Sequence, residues 1–218
     1  MRFFDKLISW LYPHRCPVCG AFVREKGERC ADCRKPFAEN AEYVLPPLVS
    51  RKGLYCLRSP FLYRGQIRKG IMALKFSDHR DAALFFAGAL SDLSQVSGLK
   101  EAQVVTAVPL SRKRKSVRGY NQSELIARQY ALLKGLPYKE LLIRKKDAPK
   151  QSLSQTKEER ARNVSGCFEA LPEAAGQTVV LIDDVYTTGA TLSECAVTLR
   201  RAGASRVIGL TAAVAGKK

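Results

Sequence analysis

The stretch from Asp183 to Thr191 combines the groups that bind a phosphate with the groups that bind a sugar. It follows the apolar run Val179 to Ile182 and precedes a helical pattern. Its threonine hydroxyls, together with a turn at Gly189, let several backbone N–H groups converge on one anion, and the positive end of the following helix adds to the attraction. Two carboxylates would repel a phosphate, but they accept hydrogen bonds from neighbouring hydroxyls. The stretch therefore predicts a site for a ribose whose 5′-phosphate lies in the loop and whose hydroxyls meet Asp183 and Asp184.

Other nucleotide-binding patterns fit this stretch less well. A Walker-type loop requires a lysine after its last glycine, and neither that lysine nor a G-x-G-x-x-G motif is present. Paired aspartates by themselves also occur as metal sites or in solvated turns. The strand before them, the Thr/Gly segment after them and the helix beyond favour the ribose phosphate.

Four of the seven cysteines form two pairs with metal-ligand spacing, Cys16 with Cys19 and Cys30 with Cys33. A gap of two residues lets both thiolates of a pair face one ion, and two such pairs supply the four soft ligands of tetrahedral zinc. Redox pairs or a disulfide framework are the alternatives, but the flanking pattern is not thioredoxin-like, and disulfides do not suit a cytoplasmic protein. We expect structural zinc, with nucleic-acid contact as a second role for the module. The remaining cysteines are expected to be small buried hydrophobes: Cys56, Cys167 and Cys195.

Elements that could position these groups follow residue 60. Helical spacing is seen over Gln66 to Lys75, Asp81 to Leu93, Ser123 to Leu133 and Leu192 to Arg201, and short apolar runs over Val104 to Val108, Val179 to Ile182 and Val207 to Leu210. This alternation predicts an α/β fold with an open parallel sheet covered by helices on both faces. Ligands bind beyond the carboxyl ends of such strands. The loops after Val108 and Ile182 are therefore the expected site.

The composition is strongly basic, with 37 Lys plus Arg against 20 Asp plus Glu, a formal charge of +17 and a pI near 9.8. Such a surface attracts phosphorylated small molecules, nucleic acid or anionic membranes. Residues 1–12 predict a short amphipathic helix that packs on the protein. Charges within it and the lack of a cleavage site argue against a signal peptide, and no segment is long enough to span a bilayer. We expect a cytoplasmic protein without stable membrane insertion.

The chain divides in this interpretation into residues 1–45, with the N-terminal helix and the four-cysteine zinc-binding module, and residues 46–218, with the α/β domain. Pro36 and Pro46-Pro47 are typical of a linker between them.

Val180 to Thr191 resembles the PRPP-binding fingerprint of type I phosphoribosyltransferases, and the wider chain resembles the ComF/GntX family of bacterial proteins linked to competence and DNA uptake. The likeness extends over both cysteine pairs and several further segments: Tyr63-Arg64-Gly65, Leu74-Lys75-Phe76, Val108-Pro109-Leu110, Arg118 to Gln122, Gln151 with Leu153, and Arg160 with Asn163. It implies a type I phosphoribosyltransferase-like open sheet, PRPP or a related ribose 5-phosphate as ligand, and Mg²⁺ bound with PRPP. It also implies a pyrophosphate loop at Leu110 to Lys113 and a mobile closing loop over Arg144 to Asn163.

The resemblance assigns two sets of site residues. The catalytic set is Asp183, Asp184, Arg144, Gln151 and Arg160. The PRPP-binding set is Asp183, Asp184, Val185, Tyr186, Thr187, Thr188, Gly189, Ala190 and Thr191, with Leu110, Ser111, Arg112 and Arg118.

Three functions remain open at this point. One is transfer of a phosphoribosyl group from PRPP with release of pyrophosphate. A second is PRPP sensing without turnover. The third, implied by the family's link to competence, is binding of single-stranded DNA in partnership with a DNA-uptake helicase.

Overall fold

The computed structural model describes residues 14–25, 28–33, 53–77, 79–93, 96, 98–146 and 163–216. Several predictions from the sequence lie outside these residues. They are the N-terminal helix over residues 1–12, the linker prolines, and the closing-loop residues Gln151 and Arg160.

The described elements alternate between strands and helices, as the periodicity predicts. In chain order they are β1 (Cys56–Arg58), α1 (Gly65–Phe76), α2 (Ala82–Ser91), β2 (Val104–Ala107), α3 (Arg112–Arg118), α4 (Gln122–Lys134), β3 (Leu142–Arg144), β4 (Phe168–Ala170), β5 (Thr178–Tyr186), α5 (Ala190–Arg201) and β6 (Arg206–Val214). Short 3₁₀ turns lie at Leu99–Glu101 and Pro172–Ala174. β1, β6, β5 and β2 form a four-stranded sheet in that order, with every neighbouring pair parallel.

Both faces of the sheet are covered, which explains why its strands read as continuous apolar runs. On one face, Ile182 of β5 belongs to a buried cluster with Phe86 of α2, Ile126 of α4 and residues of α1. On the other face, Leu181 packs in a cluster with Leu199 of α5 and with β3 and β4. The predicted α/β open parallel sheet is confirmed. Within the described ranges, no helix is both long and apolar enough to cross a bilayer.

The basic segment after Pro109 differs from the predicted loop because it becomes helical at Arg112. The Ser111 side chain caps α3 by accepting a hydrogen bond from the Arg114 N–H, and Gly119 ends the helix with a φ of 76°. Lysine and arginine are good helix formers, so a serine cap and a terminal glycine are enough to define this short helix. The cations of α3 are therefore distributed around a helix instead of along a turn.

Two other features depend on pairing between distant segments. β5 continues beyond Ile182 through both aspartates because β6 extends equally far, pairing Asp183 with Thr211 and Tyr186 with Val214. β3 and β4 form a separate antiparallel pair that the sequence did not predict. These strands have three residues each, too few for a clear alternation of apolar and polar side chains.

Candidate functional site

A cavity of about 190 Å³ lies at the carboxyl ends of β2 and β5. Residues from five parts of the chain line it: Lys75, Val108 to Leu110, Arg114 and Arg118 with Asn121 to Ser123, Arg144, and Asp183 to Leu192. This is the edge at which open parallel sheets bind ligands. The aspartate stretch, the loop after β2 and Arg144 thus share one cleft.

Asp183 is held through one of its two carboxylate oxygens. The Ser123 hydroxyl and the backbone N–H of Asp184 both donate to Oδ1, each at 2.9 Å. Burial, and next the negative charge of Asp184, raise the pKa of Asp183 to about 7, although these two hydrogen bonds and the charge of Lys75 act in the opposite direction. Among the described residues both donors reach Oδ1, so Oδ2 is left for a ligand.

Asp184 shows the complementary arrangement. Its Oδ2 accepts a hydrogen bond from Gln122 Nε2 at 2.6 Å and forms an ion pair with Lys75 Nζ at 2.8 Å. Both donors that the described residues supply contact Oδ2, so Oδ1 is left for a ligand. The two carboxylates therefore each offer one oxygen at the wall of the cleft, an arrangement suited to two neighbouring hydroxyls.

The start of α4 places the donors for these carboxylates. Asn121 accepts a hydrogen bond from the Ser123 N–H at 3.1 Å, and its amide donates to the carbonyl of Val108 at the end of β2. The cap therefore connects the helix start to the strand end. As a result Gln122 and Ser123, both buried, lie in the first turn beside β5.

The loop after β5 is shaped by Gly189, which has a φ of 78° and immediately precedes α5. A Cβ at this position would lie 2.4 Å from the ring and the hydroxyl of Tyr186. The side chain of Thr188 accepts a hydrogen bond from the Ala190 N–H at 3.4 Å. The first-turn N–H groups of a helix lack intrahelical partners, and together with the helix dipole they favour an anion here.

Cations lie on two sides of this cleft. Arg118 stacks on Phe76 at 4.7 Å and donates to Gln122 Oε1 at 2.9 Å, and burial lowers its pKa. Arg144 at the end of β3 stacks on Phe168 at 5.2 Å. Both arginines line the cavity, as does Arg114 of α3.

The site residues predicted from the sequence do not all reach this cavity. Leu110, Arg118, Arg144 and the stretch 183–191 line it. Ser111 and Arg112 are not among the lining residues, because Ser111 caps α3 and Arg112 is exposed on that helix.

The cysteine module forms a second site, with the four sulfur atoms of Cys16, Cys19, Cys30 and Cys33 all within 4.8 Å of one another. Four thiolates at this separation fit tetrahedral zinc. The other three cysteines are buried elsewhere, as predicted.

The module packs directly on the α/β domain. His79 Nε2 donates to the carbonyl of Cys16 at 2.8 Å, so this ring nitrogen carries the proton. Val18 lies so close to α1 that a Cβ at Gly70 would be 2.1 Å from the Val18 carbonyl oxygen. Cys16, Val18 and Cys33 belong to the same buried cluster as α1 and α2.

Comparison with known proteins agrees with this two-part organisation. Residues 121–218 match the phosphoribosyl transferase domain family, and residues 7–43 match the double zinc ribbon domain family.

The DNA utilization protein YhgH of Salmonella typhimurium is 29% identical over 88% of this chain and 86% of its own length. Competence protein ComFC of Bacillus subtilis is 29% identical over 82% of this chain and 68% of its own, and competence protein F of Haemophilus influenzae is 25% identical over 88% and 81%. The chain combines a double zinc ribbon with a phosphoribosyl transferase domain, and its relatives are YhgH, ComF and ComFC proteins. The double zinc ribbon and its four-cysteine cluster identify the N-terminal site as one for structural zinc.

Solved structures similar to this chain include an amidotransferase and a phosphoribosyltransferase. A glutamine phosphoribosylpyrophosphate amidotransferase from B. subtilis complexed with ADP and GMP is 24% identical with a TM-score of 0.45, over 64% of this chain and 30% of that chain. An adenine phosphoribosyltransferase from Leishmania tarentolae is 16% identical with a TM-score of 0.33, over 64% and 74%.

Four residues that line the cleft were not among the predicted site residues: Lys75, Arg114, Gln122 and Ser123. A signal existed for Lys75, because it directly follows Leu74 in the apolar stripe of α1, where a solvated lysine is unexpected. Gln122 and Ser123 are polar residues at the start of an amphipathic helix, which is also where an ordinary cap would be found.

Proposed function

We propose that this protein binds PRPP, or a related ribose 5-phosphate, together with Mg²⁺ in the cleft at the ends of β2 and β5. The observation that carries the proposal is the pair of carboxylate oxygens, Asp183 Oδ2 and Asp184 Oδ1, beside a helix N-terminus preceded by threonines. The ribose hydroxyls donate to these oxygens, and the 5′-phosphate lies against Thr187 to Thr191. The match to the phosphoribosyl transferase domain family supports the same ligand.

Phosphoribosyl transfer from PRPP would break the bond between the anomeric carbon and a pyrophosphate oxygen and form a bond from that carbon to an acceptor. Asp183 and Asp184 would orient the ring and offset its growing positive charge. Arg114, Arg118 and Arg144 would face the departing pyrophosphate, and closing-loop residues such as Gln151 and Arg160 would exclude water. Mg²⁺ bound with PRPP would supply further neutralisation of the leaving group. Release of pyrophosphate in the presence of an acceptor distinguishes this enzyme from a sensor that only binds.

In the proposed organisation residues 1–45 form the zinc module and residues 46–218 the ligand-binding domain of a cytoplasmic protein. The competence and DNA utilization proteins among the relatives support a role of this domain in DNA uptake.

Calorimetric titration of Mg-PRPP tests the ligand. The wild-type protein is expected to bind, and Asp183→Asn is expected to lose at least tenfold in affinity because one acceptor becomes a neutral amide. Asp81→Asn changes an exposed carboxylate at the start of α2 and should bind like the wild type. A zinc-loaded wild-type protein that is folded and does not bind Mg-PRPP would contradict the proposal.

The same Asp183→Asn variant should be at least as stable as the wild type at pH 8. Since burial raises the pKa of Asp183 to about 7, the folded state holds a proton that the unfolded chain releases near pH 4. The folded state therefore loses stability as the pH rises from about 4 through 7, and asparagine removes this loss. Thermal unfolding at pH 8 is the measurement. A large drop in the unfolding midpoint would show that the loss of binding reflects misfolding.

A second function, binding of single-stranded DNA, is favoured by exposed arginine–aromatic pairs. Phe22 of the zinc module is 66% exposed with the guanidinium of Arg15 4.6 Å from its ring centroid, and Phe76 beside the cleft is 62% exposed under Arg118. Aromatic faces next to cations are what single-stranded nucleic acid requires for base stacking and phosphate contact. We propose that a DNA strand contacts these pairs, in partnership with an uptake helicase.

Fluorescence anisotropy with a labelled oligothymidine tests this second function. Affinity should fall steeply with salt, and Phe22→Ala should weaken binding at least fivefold, since a stacked base contributes about 1–3 kcal/mol. Phe22→Trp should retain binding, and Leu132→Ala, which removes a 76% exposed apolar side chain from α4, should not change it. Equal affinities for all four proteins would exclude the zinc-module surface as the contact.

A further inference from the structure

Three consecutive residues in the last turn of α1, Leu74–Phe76, contact residues that line the cleft or lie next to it. The carbonyl of Leu74 accepts a hydrogen bond from the Tyr120 hydroxyl at 2.5 Å. The second, Lys75, forms the ion pair with Asp184 at 2.8 Å. The ring of Phe76 lies under the guanidinium of Arg118. One helical turn, to which the sequence assigned no site residue, therefore contacts both the carboxylate side and the arginine side of the cleft.

Lys75 is not an ordinary surface lysine. Its side chain is only 16% exposed, and that of its partner Asp184 is 9% exposed, so the ion pair is largely removed from water. Ile71 and Leu74 on the same helix are buried in the core. A charge in such a place is stable only when it is paired, and removing one partner leaves the other uncompensated.

Lys75 and Gln122 together determine how Asp184 is held. The Gln122 amide accepts from Arg118 with its oxygen and donates to Asp184 with its nitrogen, so its orientation is defined at both ends. With Gln122 and Lys75 both on Oδ2, rotation of the carboxylate would break two contacts. The remaining oxygen is thereby directed to the cavity, which Lys75 also lines.

We propose that Lys75 is a positioning residue of the ligand site: its ammonium supplies positive charge beside the Asp183–Asp184 pair and holds Asp184 so that the pair accepts two hydroxyls of a ribose 5-phosphate. The recognition of ribose in this inference rests on the proposed function; the charge role of Lys75 does not. No sequence motif for phosphate or metal binding includes this lysine, which reaches the site from a helix that precedes β2.

The electrostatic surroundings agree with this role. Asp183 is faced by Asp184 on its own strand, by Lys75 from α1, by the Ser123 hydroxyl from α4 and by the Cys195 thiol from α5. Lys75 is the cation among these groups, and its charge lowers the pKa of Asp183 against the effects of burial and of Asp184. Removing that charge should raise the pKa of Asp183 further.

The test compares Lys75→Met, which keeps most of the length of the side chain but removes its charge, with Lys75→Arg, which keeps the charge. Lys69→Met is the matched control, because Lys69 is an exposed residue of the same helix. Binding of Mg-PRPP and of ribose 5-phosphate is measured by calorimetry between pH 6 and pH 8. We expect Lys75→Met to weaken both ligands at least tenfold at pH 6 and less at pH 8, Lys75→Arg to recover most of the loss, and Lys69→Met to match the wild type within twofold.

A second measurement needs no ligand. Carboxyl carbon NMR follows the titration of Asp183 in the wild type, in Lys75→Met and in Lys69→Met, and the midpoint should rise only in Lys75→Met. Lys75→Gln takes the place of the methionine variant if that protein does not fold. A midpoint unchanged by either neutral substitution would overturn the inference, whether or not the wild type binds PRPP.

The two measurements distinguish failure of the inference from failure of the proposed function. Wild-type protein that does not bind either ligand contradicts the proposed function and the recognition of ribose, while the titration still tests the charge role of Lys75. If the wild type binds and Lys75→Met binds equally well across the pH range, the positioning role is wrong and the proposed function stands. Equal weakening in Lys75→Met and Lys75→Arg at every pH would indicate a packing role only, which also overturns the inference.

Discussion

Gly189→Ala is expected to abolish binding of Mg-PRPP. The glycine has a φ of 78°, a conformation that costs alanine about 1–2 kcal/mol, and the added Cβ would lie 2.4 Å from the buried ring of Tyr186. The loop or the ring must therefore move, and the N–H groups at the start of α5 no longer meet the phosphate together. Since misplacement by about 1 Å at such a site can cost about a hundredfold, calorimetry should detect no binding at ligand concentrations that saturate the wild type.

Gly135→Ala is the control for backbone strain. Gly135 has a similar φ of 64° at the end of α4, but a Cβ there meets nothing within 4 Å. This variant should lose about 1–2 kcal/mol of stability and keep its affinity for Mg-PRPP. Unchanged binding by a folded Gly189→Ala protein would show that the phosphate does not lie in this loop.

Gly70→Ala is expected to separate the zinc module from α1. A Cβ at this position would be 2.1 Å from the carbonyl oxygen of Val18 and 3.3 Å from the ring of Phe86, so the backbone of the module must move. Overpacking of this kind costs about 1–3 kcal/mol, which outweighs the gain of about 0.5–1 kcal/mol that alanine normally brings to a helix. The thermal midpoint should fall by several degrees, and a chromophoric chelator should remove zinc faster than from the wild type.

Gly88→Ala serves as the matched control because it lies inside α2 with no atom within 4 Å of the added Cβ. It should raise the thermal midpoint and leave zinc release unchanged. The two glycine-to-alanine changes thus have opposite signs, although both occur inside helices. A Gly70→Ala protein that is more stable than the wild type would show that the module does not pack on α1 in solution.

The contact tested by Gly70→Ala also lies on a structural connection between the zinc site and the cleft. The Cys16 carbonyl accepts from His79, and the neighbouring Arg80 lies over the ring of Tyr120, whose hydroxyl donates to the last turn of α1. The zinc ligands are therefore connected through packed side chains to the turn that carries Lys75. Measuring Mg-PRPP affinity in Gly70→Ala reports whether displacement of the module reaches the cleft.

The features that the sequence by itself determined are those whose residues are contiguous. The strand–Asp-Asp–Thr/Gly–helix stretch at 180–191 and the two cysteine pairs have their ligand spacing within one short segment, so local backbone geometry is enough to predict their chemistry. The parallel sheet was also predictable, because strands covered on both faces must be apolar throughout.

The tertiary structure decided which other side chains complete the cleft. Gln122 lies 62 residues from Asp184 and Ser123 lies 60 residues from Asp183, and Lys75 reaches the same carboxylates from a third segment. Gln122 and Ser123 have an ordinary local explanation as residues of a helix start, and the unusual position of Lys75 in its helix does not show which group it pairs with. Only the packing of α1 and α4 on one face of the sheet places their polar ends against β5. There the high cost of burying two adjacent carboxylates requires donors, which the chain supplies from distant positions.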